Sequence, residues 1–166
     1  MILMGIAYYI TTIATASGQV LGNLMVAPAV FAFGLVGLIM AEWAILRGPP
    51  SADVLPRIAK IDLFYGIAAV GLLIVGALRV IYGAKGYAFY TGNPVFWLKV
   101  GLFALAGLLS VPPTIRFIRW SRALRATGAL PDAAEWLTTR KLVVWELHAL
   151  SGVMICAALM ARGIGH

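Results

Sequence analysis

The chain has 166 residues, of which 62% are hydrophobic and 11% charged, and it carries a net charge of +7. A water-soluble domain of this length cannot hide so much apolar surface, because a large share of any small fold faces solvent, so the composition excludes one. The basic surplus does not point to nucleic acid, because the arginines and lysines flank long apolar runs, where such residues set membrane topology.

Roughly 20 apolar residues are needed to cross the hydrocarbon core as a helix. The first candidate, Ile2–Leu21, has two readings. It is an extra transmembrane helix, or it is a secretory signal peptide in which Ala14-Thr15-Ala16 is the small-residue cleavage site, although the basic n-region of such signals is missing. Four stronger spans follow, at about Leu24–Leu46, Ile61–Tyr82, Pro94–Val111 and Leu142–Ala161. The expected fold is therefore all-α: a transmembrane helical bundle with four core helices in residues 24–166, preceded by a hydrophobic segment over residues 1–23. If that segment is a helix, Gly22 and Asn23 form the turn that joins it to the next span.

Between the spans, Pro112-Pro113 predicts an end or a sharp kink in the third helix, since proline removes a backbone donor and restricts the residue before it. Ile115, Phe117, Ile118 and Trp120 then alternate irregularly with Arg116, Arg119 and Arg122. This pattern reads as a helix running along the inner membrane surface, with Trp120 as its anchor and the arginines facing anionic lipid. Pro131-Asp132 opens a short helix with Asp132 and Glu135 in its first turn, as the helix dipole favours. Gly66, Gly71, Gly76, Gly101 and Gly107 read as small residues that let helices pack closely.

The connections divide by charge. Arg47, Arg57 and Lys60 stand against Asp53 in one, and Arg116, Arg119, Arg122, Arg125, Arg140 and Lys141 against Asp132 and Glu135 in another. Gly83–Asn93 holds only Lys85. The positive-inside rule places the two basic connections, 47–60 and 114–141, in the cytoplasm, and the Gly83–Asn93 loop and the C-terminus outside.

Ionisable residues inside a span are costly and mark functional candidates. Glu42, Asp62 and Glu146 fall within about 10 Å of the cytoplasmic helix ends. Asp62, nearest the surface, reads as an ordinary helix-end charge. His148 lies slightly deeper than Glu146 and is the one histidine inside a span, so it is the candidate metal or haem ligand. Arg79 and Lys99 lie toward the outer ends. The functional reading is an inner polar cavity suited to protons or a metal and an outer cationic one suited to an anionic group; the alternative is snorkelling and ion pairing. Tyr82, Tyr87, Phe89, Tyr90, Phe96 and Trp97 bracket the outer loop as an interfacial belt or as the lining of a flat pocket. The single cysteine, Cys156, excludes an internal disulfide and paired-cysteine metal motifs. No Ser-His-Asp set, HExxH or phosphate-binding loop occurs, so the sequence identifies no catalytic residue.

Several pieces of the chain resemble the bacterial membrane proteins grouped as the domain of unknown function DUF2214. These are Leu63-Phe64-Tyr65-Gly66, Leu78-Arg79-Val80-Ile81-Tyr82-Gly83, Lys85-Gly86, Phe89-Tyr90, Asn93-Pro94, Phe96-Trp97-Leu98-Lys99 and Leu109-Ser110-Val111-Pro112-Pro113-Thr114. Glu146-Leu147-His148 and Ala158-Leu159-Met160-Ala161-Arg162-Gly163 also fit. The layout is similar, more distantly, to CopD-type copper-resistance proteins and HemJ-type protoporphyrinogen oxidases. The wider resemblance implies a four-helix protein of the bacterial inner membrane, and haem as a candidate cofactor. Lys99 matches that group's lysine after a Trp-Leu pair, while residues 25–33, where an early histidine would stand, contain none.

Three functions follow as expectations. The first is a redox- or porphyrin-linked protein in which Lys99 and Arg79 neutralise an anionic group while His148 and Glu146 ligate or relay protons. The second is a non-catalytic subunit or scaffold that packs against a membrane-protein partner or a second copy. The third is a small metal or proton transporter using Glu42, Glu146 and His148. In each the lipid bilayer is the solvent.

Overall fold

The computed structural model describes residues 20–82 and 91–163. The predicted N-terminal helix or signal, over most of its length, and the aromatic loop around Tyr87–Tyr90 lie outside the described residues.

Four helices make up the described chain: α1 (Val20–Leu46), α2 (Val54–Tyr82), α3 (Pro94–Thr127) and α4 (Ala133–Ala161). All four are long and apolar enough to cross a membrane. Lipid offers no hydrogen-bond partner to a backbone amide, so each spanning segment satisfies its own groups as a helix. Each helix packs on its neighbours in sequence, and α1 closes on α4, which gives an up-and-down ring of four. The α1–α2 and α3–α4 connections share one end, the basic end. There the Trp136 indole of α4 donates to the carbonyl of Gly48 at 2.9 Å.

The helices exceed the apolar windows that predict them. Gly22 and Asn23 are helical, not a turn. The cost of a glycine inside a helix is about 1 kcal/mol, less than that of leaving backbone groups bare in lipid. Pro28 is likewise accommodated inside α1. α2 starts at Val54, so Arg57 and Lys60 belong to its first turns. α3 does not end at Pro112-Pro113 but continues to Thr127. At 1.5 Å per residue its 34 residues span roughly 50 Å, against about 30 Å of hydrocarbon. The two prolines cost α3 hydrogen bonds to preceding carbonyls, and packing offsets the loss: Pro113, Phe117 and Trp120 are all buried. The predicted short helix at Asp132 and the fourth span are one continuous α4.

Beyond the membrane, α3 and α4 therefore continue as a hairpin. Gly128 ends α3 in the left-handed region, φ 71°, and its amide donates to Leu124 O. The Asp132 carboxylate caps α4 by accepting from Ala134 N at 3.0 Å. Trp120 is not an interfacial anchor. Its ring packs on Phe117 and Trp136, and its indole donates to Glu135 at 2.9 Å. Arg116 and Arg119 both pair with Glu135, and Arg116 also donates to Thr139 Oγ1 at 2.9 Å. These two arginines hold the hairpin together instead of facing lipid.

The glycines also divide. A β-carbon on Gly71 would stand 2.6 Å from the Phe31 ring, so Gly71 sets the α1–α2 approach. Gly152 does the same against Leu102 between α4 and α3. Gly66, Gly101 and Gly107 face outward with open space before them, so they do not pack the bundle interior.

Candidate functional site

One turn inside the basic rim, each helix contributes a polar side chain to a common cluster. Glu42 comes from α1, Asp62 and Tyr65 from α2, Thr114 from α3 and Glu146 from α4. Glu42 is 2% exposed, Glu146 1% and Asp62 8%. Asp62 and Tyr65 share a face because residues three apart on a helix are neighbours. Thr114 donates to Asp62 Oδ1 at 2.8 Å. The Tyr65 phenol lies against the Glu146 carboxyl. Glu42, Asp62 and Glu146 stand close enough for their charges to interact. Two oxygens, Glu42 Oε1 and Glu146 Oε1, are buried with no hydrogen-bond partner. Among the described residues the only acid with a basic partner is Glu135, so no lysine or arginine neutralises the cluster. Nor do three of His, Cys, Asp or Glu among the described residues come together to hold a metal ion.

The predicted site residues thus fall in three places. Glu42 and Glu146 meet inside the bundle. Asp62, which reads from sequence as a surface charge, joins them, because α2 begins two turns earlier than its apolar stretch and carries Asp62 below the rim. His148 is apart: it is exposed on the outer face of α4, with its ring beside Trp145 and its Nδ1 donating to Val144 O at 2.7 Å. Glu146 and His148 are two residues apart on a helix, about 200° around the axis, so one faces inward and the other outward. Arg79 and Lys99 are brought together at the opposite end, half-buried, with buried Cys156 near Lys99. A single group held by His148, Glu146, Lys99 and Arg79 together does not fit this arrangement.

Tyr65 and Thr114 are the members that sequence reasoning misses. Their signal is faint: Tyr65 is three residues after Asp62, and Thr114 closes the Ser-Val-Pro-Pro-Thr run.

No curated protein and no solved structure matches the chain. The family model described as "Predicted membrane protein (DUF2214)" matches residues 24–165, which takes in all four helices except the first turn of α1, and the chain belongs to that family.

Proposed function

We propose that this membrane protein is proton-coupled and that the Glu42–Asp62–Tyr65–Glu146 cluster is the site where it takes up and releases protons. The observation that carries this reading is the pair of buried, unpartnered carboxylate oxygens, Glu42 Oε1 and Glu146 Oε1. An uncompensated buried charge costs several kcal/mol, and like charges sharing one site do not all ionise. With three carboxyls, one tyrosine, one threonine and no basic residue, protons are the simplest neutralising partner. The cluster lies one turn inside the basic end, so its exchange is with the solvent on that side. By the positive-inside rule that side is the cytoplasm, with the C-terminus outside, in the bacterial inner membrane that the family resemblance implies.

Infrared spectroscopy of protein in lipid tests this. A protonated-carboxyl C=O band is expected at neutral pH, sensitive to deuterium exchange and reduced in both Glu42→Gln and Glu146→Gln. A spectrum without that band, or a band unchanged in both variants, overturns the reading.

The Arg79–Lys99 pair supports a second reading. All six acidic residues of the chain lie in the basic half or the connections beside it, so no acidic side chain of the outer half is there to neutralise this pair, and an anionic group from outside the chain would do so. This is the part of the redox- or porphyrin-linked expectation that the geometry favours. A purified protein with no retained chromophore and no Soret band would remove porphyrin as that group.

A further inference from the structure

We propose that the groove between the basic ends of α1 and α4 binds the phosphate headgroup of an anionic phospholipid. The groove encloses about 710 Å³, and Trp43 and Arg47 line it from α1, with Arg140, Lys141, Trp145 and His148 from α4. It is separate from the proton cluster, because it opens outward on α4 while Glu146 faces the bundle interior.

Three features select the ligand. The first is charge: Arg47, Arg140 and Lys141 bring three cations, no carboxylate lines the groove, and none of the three has an acidic partner among the described residues. Arg116 and Arg119 of the adjoining hairpin differ in this respect, since they are already paired with Glu135. The second is depth. Arg140 and Lys141 mark the rim where the apolar part of α4 begins, which is the level of lipid phosphates, and the indoles of Trp43 and Trp145 suit the same interface. Basic pockets between transmembrane helices are a recurrent form of headgroup site. The third is preorganisation. The Arg47 guanidinium is already held over the Trp43 ring, 5.0 Å from its centroid. His148 Nδ1 donates to the Val144 carbonyl, so the orientation of the ring is fixed and Nε2 is left to hydrogen-bond a headgroup.

Native mass spectrometry from micelles containing equal phosphatidylglycerol and phosphatidylcholine tests the site. Wild-type protein is expected to retain phosphatidylglycerol selectively. Affinity should fall about fivefold for one charge removed and about twenty-five-fold for Arg47→Gln with Arg140→Gln. Arg47→Lys with Arg140→Lys should retain most of it. Arg122→Gln with Arg125→Gln removes the same charge from exposed hairpin positions and should change nothing. Equal retention of the two lipids, or an equal loss in the hairpin control, would mean diffuse attraction and overturn the site. Displacement of the lipid by millimolar inorganic phosphate would show a free-anion site and overturn the lipid assignment.

Discussion

At the scale of single residues, the membrane makes charge conspicuous and neutrality silent. Glu42 and Glu146 stand out in the sequence because a carboxyl in an apolar run demands an explanation. Tyr65 and Thr114 do not, because tyrosine and threonine are ordinary in spanning helices, and only the rotation of α2 and α3 about their axes aims them at the carboxyls. Asp62 is misread for a related reason: distance from the last lysine measures depth along a helix and says nothing about which way the side chain points. The Thr114–Asp62 bond allows a direct check. Thr114→Val keeps the shape and removes the donor to a buried carboxyl, so stability in detergent should fall by about 1–3 kcal/mol. Thr114→Ser, which restores the hydroxyl, should recover most of it. A Thr114→Val protein as stable as wild type would show that the bond contributes nothing to the cluster.

For whole helices, hydropathy identifies the segments in lipid and misses where they stop. The four spans are legible because their apolar windows match the bilayer, but Arg116–Thr127 and Ala133–Lys141 are amphipathic and polar, so the pattern reads them as separate helices and not as continuations of α3 and α4. Their helicity comes from the Trp120, Phe117 and Trp136 stack and from Glu135, which gathers Arg116, Arg119 and the Trp120 indole. Glu135→Ala leaves these donors without their shared acceptor. Because the ion pairs are partly exposed and discounted accordingly, the expected loss is about 1–2 kcal/mol, together with faster proteolysis in the Thr127–Asp132 turn; unchanged proteolysis would contradict the role given to Glu135. A second test addresses the α1–α2 contact. Gly71→Val crowds the Phe31 ring and should cost about 1–3 kcal/mol as overpacking does, and Phe31→Ala in the same protein should relieve it. A Gly71→Val cost that Phe31→Ala leaves untouched would place the strain elsewhere.

Across the whole molecule, the two ends differ in kind. One carries the hairpin, the acidic cluster and the basic groove; the other carries Arg79 and Lys99 with no acid in reach. This asymmetry is legible in the sequence as loop composition, whereas the closure of α1 on α4 is not, because ring order depends on contacts between segments nearly a hundred residues apart. The proposed orientation has its own measurement. Single cysteines introduced at Ser51 and Ala129 in a Cys156→Ser background should resist a membrane-impermeant maleimide in intact cells and react after lysis. Labelling of either before lysis reverses the assignment of sides.

The unbroken course of α3 has a mechanical consequence. One helix carries both Lys99 and Thr127, and the proline pair near its middle, where the backbone ladder is thinnest, is where it bends most readily. Spin labels on Thr127 and on the Lys99 arm would then read whether the two arms of α3 move as one body or flex about that pair.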